Sequence, residues 1–514
     1  MRLPILKVYQ LEIKRCFGRG LGTAFLFVAI PSEFRLNASS QGELMIMRHS
    51  STCAGLLLLS AIGAVLAQSR SESTTAGPAT QGIGLIRNDP GAYAGYTLLS
   101  PLQSTSTFLI DMNGRVVKTW DAGSTPSSIA YLLENGNLIR AGLATNPPFG
   151  NTAGGGGKMQ EFNWNGDLVW DFTFGTATAT QHHDFTRLPN GNVLMVVKEK
   201  KTSAEAIAAG RIPSTVQGTE VQPDSVIEIK PMGKTGGEVV WEWHLWDHLI
   251  QDADKDKANF GDVGAHPERV DINYNVVAGQ RANADWTHFN AVSYNAELDQ
   301  VLVSLRNFSE IWILDHGTTT REAAGHTGGK RGKGGDLLYR WGNPRVYRAG
   351  TIEDQRLYGQ HNAHWIPSGL EGAGHLLIFN NGDTRPGTKY SSVEEIVLPD
   401  TNGRYTLGAD KKYGPDRSVW SYSAPNPTDF YSVNISGVQR LPNGNTLVCA
   451  GAPGIVFEVT PQKKVVWQYN LPAFGARGGA NARQVFRAYR FGPDFPGLKE
   501  KSLVAGKPLE ESVR

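Results

Sequence analysis

The chain has 514 residues, of which 40% are hydrophobic and 19% charged, a composition that supports a buried core and excludes a disordered chain. Residues 1–67 hold seven Lys/Arg and three Asp/Glu, so the rest of the chain carries 43 basic and 45 acidic side chains. The formal net charge of +2 thus comes from the N-terminus and gives no indication of a nucleic-acid partner.

The N-terminus has the pattern of an exported protein. A short basic stretch at 47–49 precedes an apolar run over 54–67, which is too short to span a membrane comfortably and ends in the small-residue cleavage signal Val65-Leu66-Ala67. We predict an upstream extension over 1–46, a signal peptide over 47–67 and a flexible lead-in over 68–90, with an uncleaved anchor as the alternative. A periplasmic or secreted protein without a membrane span after cleavage is expected. Only Cys449 then remains, which excludes an internal disulfide.

A repeated strand pattern occupies residues 91–495. Six hairpins end in a strand that carries a tryptophan: Trp120, Trp170, Trp241, Trp341, Trp420 and Trp467. Three hairpin turns share the sequence Asn-Gly-Asn, at 135–137, 190–192 and 443–445, and Asn-Gly supplies the positive φ values of tight turns. Four-stranded units of this kind predict an all-β, six-bladed β-propeller with long insertions at 199–224, 247–285 and 317–358.

The first tryptophan hairpin lacks a preceding inner strand. Residues 482–490 have a strand pattern, and we predict that they supply the missing strand and close the ring by pairing the N- and C-terminal strands. Residues 496–514 are then a C-terminal tail. The main structural alternative is a β-sandwich with Greek-key connections.

The inner strands begin with polar residues. His183, His361 and Ser436 each lie six residues before a proline, and Ser128 and His288 occupy similar positions, although no proline fixes the register of His288. In a propeller such strand starts face one central channel. Arg306 follows the next strand, so histidines, an arginine and Asn290 converge on a site suited to an oxyanion. The other histidines have no repeat position and are predicted to be surface residues: His244, His248, His266, His316, His326 and His375.

With these motifs the chain resembles the bacterial arylsulfate sulfotransferases, exported six-bladed propellers that move a sulfuryl group between phenols without a nucleotide sulfate donor. The resemblance covers about 90–495 and rests on the His-His-Asp at 182–184, on His288, Asn290 and Arg306, and on the Gln-His-Asn-Ala-His-Trp at 360–365. It implies that His361 is the nucleophile that is transiently sulfurylated, and that His183, His288, Asn290 and Arg306 bind and polarise the sulfate. Ser436 stands where the family has a threonine; His182 and His364 are expected next to the site.

The chemistry agrees with this resemblance. A neutral imidazole attacks sulfur and expels a phenolate, which leaves the sulfuryl group on the imidazole. A second phenol then takes the sulfuryl group, so that the reaction is ping-pong. No cofactor and no metal are required, and the partners are an aryl sulfate donor and a phenolic acceptor. Three alternatives stay open: an aryl sulfate hydrolase, a metal site on the channel histidines, and a non-enzymatic binding propeller. The sequence does not identify the natural donor or acceptor, and it leaves the oligomeric state open between a monomer and a homodimer.

Overall fold

A computed structural model describes residues 77–513 except 151, 153, 217, 275–283, 476–478 and 480. The predicted upstream extension, the signal peptide and the first part of the lead-in lie outside these residues. None of the helices in the described part has the length and apolar character needed to cross a bilayer.

Strands dominate the described residues, and the helices are short. The strands, in chain order, are β1 (Gly84–Asn88), β2 (Tyr96–Pro101), β3 (Ser106–Ile110), β4 (Val116–Asp121), β5 (Pro126–Leu132), β6 (Leu138–Leu143), β7 (Gly157–Phe162), β8 (Leu168–Thr173), β9 (Ala179–Arg187), β10 (Val193–Glu199), β11 (Lys201–Thr202), β12 (Glu220–Val221), β13 (Asp224–Met232), β14 (Gly236–His244), β15 (Leu249–Ile250), β16 (Val270–Asp271), β17 (Phe289–Asn295), β18 (Gln300–Leu305), β19 (Glu310–Asp315), β20 (Tyr339–Trp341), β21 (His361–Trp365), β22 (Leu376–Asn380), β23 (Ser392–Ile396), β24 (Trp420–Tyr422), β25 (Gly437–Arg440), β26 (Thr446–Ala450), β27 (Ile455–Val459), β28 (Val465–Asn470) and β29 (Val485–Phe491). The α-helices are α1 (Ser203–Ala208), α2 (Thr320–Ala323) and α3 (Leu509–Ser512). Single 3₁₀ turns cover Pro213–Thr215, Leu245–His248, Val263–Ala265, Pro344–Tyr347, Ile352–Asp354, Pro427–Asp429 and Pro496–Leu498.

Six antiparallel sheets form the blades of a β-propeller, which confirms the predicted fold class. In blade order they are β29-β2-β3-β4, β5-β6-β7-β8, β9-β10-β13-β14, β17-β18-β19-β20, β21-β22-β23-β24 and β25-β26-β27-β28. The two middle strands of a blade are covered on both faces by the neighbouring blades. Strands such as β10, β18, β19, β26 and β27 are therefore buried at every residue and are mostly apolar, without the alternation of a half-exposed strand.

Both ends of the described chain close the ring. The last strand, β29, pairs with β2 from Tyr96 opposite Phe491 to Pro101 opposite Val485, as predicted. In addition, β1 pairs with the outer strand β28 of the sixth blade. The backbone groups at the edge of β28 attract a partner strand. The end of the predicted flexible lead-in, residues 84–88, is therefore an ordered strand in this structure.

The six tryptophans predicted from the repeat join each blade to the next. Each lies in an outer strand, and its indole N–H donates a hydrogen bond of 2.8–3.1 Å to a group of the following blade. The partners are the carbonyl oxygens of Asn163, Gly236, Pro415, Pro461 and Met112 and the hydroxyl of Thr318. Since the bond from Trp467 to Met112 leads from the sixth blade back to the first, these contacts form a complete ring.

The Asn-Gly turns differ from the prediction in one respect. Only the glycine has a positive φ, for example +84° at Gly136, whereas Asn135 does not. The Asn135 carboxamide instead accepts a hydrogen bond of 2.9 Å from the backbone N–H of Asn137, and Gly136 N–H donates to the Leu133 carbonyl. Asparagine thus stabilises the turn through its side chain, and glycine supplies the left-handed residue of the bulged hairpin.

Insertions and the C-terminal tail pack onto the blades. The helix α1 starts at a capping box between Thr202 and Glu205. In the connection after β14, His248 is fully buried, so its assignment to the surface was wrong. In the tail, Leu509 of α3 is fully buried and its N–H donates to the carbonyl of Gly114 in the first blade.

Candidate active site

The candidate residues lie where the inner strands depart from regular β geometry, next to the channel. His183, His288, Asn362 and Ser436 all have positive φ values, of +51°, +56°, +50° and +96°. Register shifts interrupt the pairing of β9, β17 and β21 at the same level. A β-bulge bends the strand and re-aims a side chain, and non-glycine residues in the left-handed region concentrate at functional sites. In four inner strands the side chains at these positions therefore point in a different direction from that of a regular strand.

The blade with no proline has a different register from the one that the sequence suggests. Val292 N–H donates to Asp184, which follows His183, and Val438 N–H donates to Asn362, which follows His361. Val292 and Val438 therefore occupy equivalent positions in their blades. Counting back two residues from each makes Asn290 the equivalent of Ser436. His288 reaches the site from two residues further upstream.

Three histidines form one cluster, in which His183 contacts His288 and the ring of Phe486 contacts His183 and His361. The rings of His183 and His288 are in edge-to-face contact with centroids 4.6 Å apart. Phe486, on the closing strand β29, lies 6.0 Å from the His183 ring and 6.4 Å from the His361 ring. All three histidines are at most 8% exposed. The structure thus brings together His183, His288 and His361, which come from three consecutive blades.

The hydrogen bonds of His361 fix which nitrogen carries its proton. Its Nδ1 lies 2.7 Å from Asn381 Oδ1. The Asn381 amide nitrogen donates to the carbonyls of Ser432 at 2.8 Å and Ile435 at 3.0 Å, so its oxygen must be the atom that faces His361. An amide oxygen only accepts, and therefore His361 carries its hydrogen on Nδ1. The Nε2 lone pair is then available as a nucleophile.

His288 has a charged partner instead of a neutral one. Its Nδ1 lies 2.5 Å from Asp285 Oδ2, and Asp285 also forms an ion pair with the buried Lys198. Burial alone would raise the pKa of Asp285, but the hydrogen bond and charge of His288 and the charge of Lys198 lower it overall. An ionised carboxylate only accepts, so His288 carries a hydrogen on Nδ1.

His183 is held by a buried relay that ends at Asp224. His182 Nε2 lies 2.8 Å from Asp224 Oδ1 without hydrogen-bond alignment, and at this distance from a carboxylate a proton on the nitrogen is favoured over a lone pair. The other nitrogen of His182, Nδ1, then accepts from His183 Nδ1, which is 2.7 Å away. Consequently His183 also carries its hydrogen on Nδ1, and its Nε2 is an acceptor.

Burial keeps two of the histidines neutral. It lowers the pKa of His361 well below the ordinary value, and the charge of Arg306 lowers it further, whereas the hydrogen bond to Asn381 raises it slightly. Burial also lowers the pKa of His183 far below normal, with a further contribution from His288. Both rings are therefore neutral imidazoles at pH 7.

Arg306 directly follows β18, the second strand of the fourth blade. Its backbone N–H donates to the His288 carbonyl at 3.0 Å, and its Nη2 forms an ion pair with Asp383. Its Nη1 lies 3.4 Å from Asn307 Oδ1. The side chain is 25% exposed, which places the guanidinium at the open side of the cluster. Burial raises the pKa of Asp383, and Arg306 opposes that rise.

Three other predicted residues, Asn290, Ser436 and Ser128, have hydrogen-bond partners within the protein. Asn290 donates to the Gln360 carbonyl at 2.7 Å, and Ser436 donates to the Ser432 hydroxyl at 2.8 Å, both fully buried. Ser128 donates to the His183 carbonyl. Their role as substrate ligands stays a prediction.

The remaining predicted residue, His364, faces a different cavity. Its Nδ1 lies 3.0 Å from the Asn362 carbonyl, and burial lowers its pKa to about 4. It lines a cavity of about 640 Å³ together with Tyr131 and Arg487. The guanidinium of Arg487 is fully buried and pairs with Asp184 at 2.8 Å.

Sequence reasoning missed the partners of the histidines and arginine. Asn381 and Asp383 follow β22 just as Arg306 follows β18, so the ends of the second strands were the available signal. Gly154, in the loop before β7, is a further residue of the site that the sequence did not single out. Its φ is +63° and an added Cβ would lie 2.2 Å from His183 Cε1, so only glycine fits over this ring.

Comparisons with known proteins relate the chain to one family. The sequence pattern of the family described as Arylsulfotransferase (ASST) matches residues 69–474. An Arylsulfate sulfotransferase AssT of Escherichia coli O6:H1 is 27% identical over 350 residues, which are 62% of this chain and 53% of that protein. The Lelliottia amnigena protein of the same name is 24% identical over 348 residues, with the same coverage. The chain spans about half the length of the curated relatives it matches.

Solved structures give a weaker likeness. A protein of unknown function from Bacteroides caccae has a TM-score of 0.42 at 11% identity and covers 77% of this chain and 98% of its own. A streptogramin B lyase has a TM-score of 0.35 at 10% identity and covers 76% and 87% of the two chains. These values carry no argument about the site.

Proposed function

The chain belongs to the arylsulfotransferase family, and we propose that it transfers a sulfuryl group from an aryl sulfate to a phenolic acceptor through a sulfohistidine at His361. The observation that supports this most directly is the tautomer of His361. A neutral, buried imidazole with its proton held by Asn381 has its Nε2 lone pair directed away from that partner.

In the first half-reaction, His361 Nε2 forms a bond to sulfur while the bond between sulfur and the aryl oxygen breaks. Negative charge grows on the sulfate and leaving oxygens, and the Arg306 guanidinium and the His288 Nε2–H stabilise it. His288, supported by Asp285, gives its Nε2 proton to the leaving phenolate. The products are a free phenol and a sulfurylated imidazolium that keeps its Nδ1–H on Asn381.

In the second half-reaction an acceptor phenol returns a proton to His288 and its oxygen attacks sulfur, so that the nitrogen–sulfur bond breaks and His361 is regenerated. The partner of His361 suits this step, because a neutral amide stabilises the imidazolium less than a carboxylate would. The sulfuryl group therefore remains transferable. The neutral partner Asn381 thus suits His361 to act as the nucleophile, and the charged partner Asp285 suits His288 to act as the acid–base group.

For His183 the proposed role differs from the one that the resemblance implies. Its proton lies on Nδ1 toward His182, so its Nε2 has no hydrogen to donate to a sulfate oxygen. We assign to it the acceptance of a hydrogen bond in the site. The donors for sulfate are then Arg306 and His288.

A metal on the channel histidines is disfavoured by charge. Arg306, Arg487 and Lys198 all lie close enough to the histidines to lower a pKa in the cluster. A divalent cation placed among these groups would be repelled. We therefore keep the sulfotransferase as the proposed function.

The test mixes the purified protein with a chromogenic aryl sulfate and no acceptor, followed by quenching at alkaline pH and peptide mass spectrometry. We expect a phenol burst equal to the enzyme concentration and one added SO₃ on His361. His361→Asn should show no burst, and His364→Asn should show a normal one. A burst that survives loss of His361 would contradict the assignment; release that continues without phenol would instead identify a hydrolase.

Export to the periplasm or the medium also remains a proposal. It rests on the apolar run and the Val65-Leu66-Ala67 ending of the predicted signal peptide. N-terminal sequencing of exported material should begin near Gln68, and material that retains residues 1–46 would refute the predicted cleavage.

A further inference from the structure

A second group of histidines lies away from the channel, between the outer strands of the third and fourth blades. His248 ends the 3₁₀ turn after β14, His326 follows α2, and Asp336 precedes β20. Their side-chain ligand atoms all lie within 4.8 Å of one another. Since no step of the proposed reaction uses them, this cluster requires its own explanation.

One carboxylate oxygen connects the two histidines. Asp336 Oδ1 lies 2.9 Å from His248 Nδ1 and 2.8 Å from His326 Nδ1. Two nitrogen or oxygen ligands bound to one ion at about 2.0–2.1 Å are at most about 4.2 Å apart. Each histidine nitrogen is therefore close enough to Asp336 Oδ1 to share an ion with it, and the separation between the two histidine nitrogens is at most 4.8 Å.

Both nitrogens of the buried His248 face oxygen atoms. Its Nε2 lies 2.9 Å from the Ala323 carbonyl, which only accepts, so this nitrogen carries a hydrogen. A neutral imidazole has only one hydrogen, and the Nδ1 lone pair would then point at the Asp336 carboxylate. In this tautomer Nδ1 presents its lone pair on the side of Asp336, as a metal ligand requires. Metal-bound histidines commonly donate their other N–H to a backbone carbonyl, as His248 does.

We propose that His248 Nδ1, His326 Nδ1 and Asp336 Oδ1 bind a divalent first-row transition metal, for which Zn²⁺ is the probe. Two imidazoles and one carboxylate suit Zn²⁺ and its neighbours, whereas Mg²⁺ and Ca²⁺ prefer oxygen ligands. The His326 side chain is 43% exposed and lines a cavity of about 540 Å³. A metal at this position is reached from the cavity and keeps positions for water or a small ligand.

Arg269 is the group that opposes the metal. Its Nε lies 3.2 Å from the same Asp336 Oδ1, and its charge repels a cation. The side chain is 23% exposed and lines the same cavity, so it has room to turn away. Arg269→Gln should therefore bind the metal more tightly than the wild type.

The experiment titrates Zn²⁺ into the chelator-treated full chain by calorimetry and counts bound zinc by mass spectrometry. We expect one equivalent, an affinity reduced by about tenfold or more in His326→Ala, and a tighter site in Arg269→Gln. His266→Ala is the matched control, because His266 lines the cavity without contacting Asp336, and its affinity should be unchanged. Thermal unfolding of each metal-free variant checks that the fold is intact.

Three outcomes would overturn the proposal. Binding that is equally strong in His326→Ala, binding that is lost in His361→Asn, or no stoichiometric binding by the wild type would each do so. The first two would place the ion elsewhere, in the second case at the channel. The third would leave the cluster as a set of hydrogen bonds that holds the connection after β14 to the fourth blade.

Discussion

Arg306→Lys tests whether the guanidinium acts on the transition state. Lysine keeps the positive charge beside Asp383 but loses the planar pair of donors that matches two sulfate oxygens. Nη2 contacts Asp383, whereas Nη1 makes only a long contact of 3.4 Å with Asn307. Nη1 is therefore the donor to sulfate that the lysine variant would lose. Losing one donor to a developing oxyanion costs about 2.7–4 kcal/mol, or roughly 10²–10³ in kcat.

The assay compares kcat for a chromogenic aryl sulfate at saturating phenol and the unfolding temperature of both proteins. Stability should change little, because a partly exposed ion pair contributes about 0–1 kcal/mol. The companion variant Asp383→Asn removes the carboxylate that competes with sulfate for the guanidinium, and it should lower the KM for the donor. An Arg306→Lys enzyme with nearly normal kcat, or an unfolded one, would refute the reasoning.

Further predictions concern the ring of His183, the nucleophile and the blade contacts. Gly154→Ala should reduce activity strongly through its clash with His183, whereas Gly150→Ala, at a glycine that also has a positive φ but open space around its Cβ, should remain active; equal activities would remove the close approach as the cause. Lowering the pH from about 7 to about 6.5 should leave the burst rate unchanged, and the rate should fall only in more acidic buffer, since the pKa of His361 lies well below its usual value and only the neutral ring attacks; stopped-flow rates that already fall between these two pH values would contradict this. Trp467→Phe should lower the free energy of unfolding by about 0.5–1.5 kcal/mol in urea titrations, because the hydrogen bond from the indole to the Met112 carbonyl of the first blade is lost; an unchanged midpoint would show that this bond is dispensable.

The sequence predicted the parts of this fold that depend on local patterns. Hydrophobic runs, Asn-Gly turns and the repeated tryptophans are set within a few residues of each other, and so the six blades and the closing strand agree with the structure. The site could be predicted from the sequence only in part. The bulge that contains Asn290 shifts the register of the fourth blade, and no local signal marks it.

The partners of the candidate residues were also beyond sequence reasoning. Asp383 meets Arg306 and Asn381 meets His361 only because the ends of two second strands turn toward the channel. The protonation pattern depends on these contacts. A list of histidines therefore gives a site, but the division into nucleophile, acid–base group and acceptor requires the three-dimensional neighbours.

The closing strand β29 also fixes when the channel becomes complete during synthesis. Phe486, which lies between the rings of His183 and His361, and Arg487, which pairs with Asp184, both belong to this strand. A ribosome makes them after all the histidines. Until β29 docks against β2, His361 lacks its contact with Phe486 and Asp184 lacks its counter-ion. A nascent chain shortened by about thirty residues thus contains every histidine of the site and still has no working pocket.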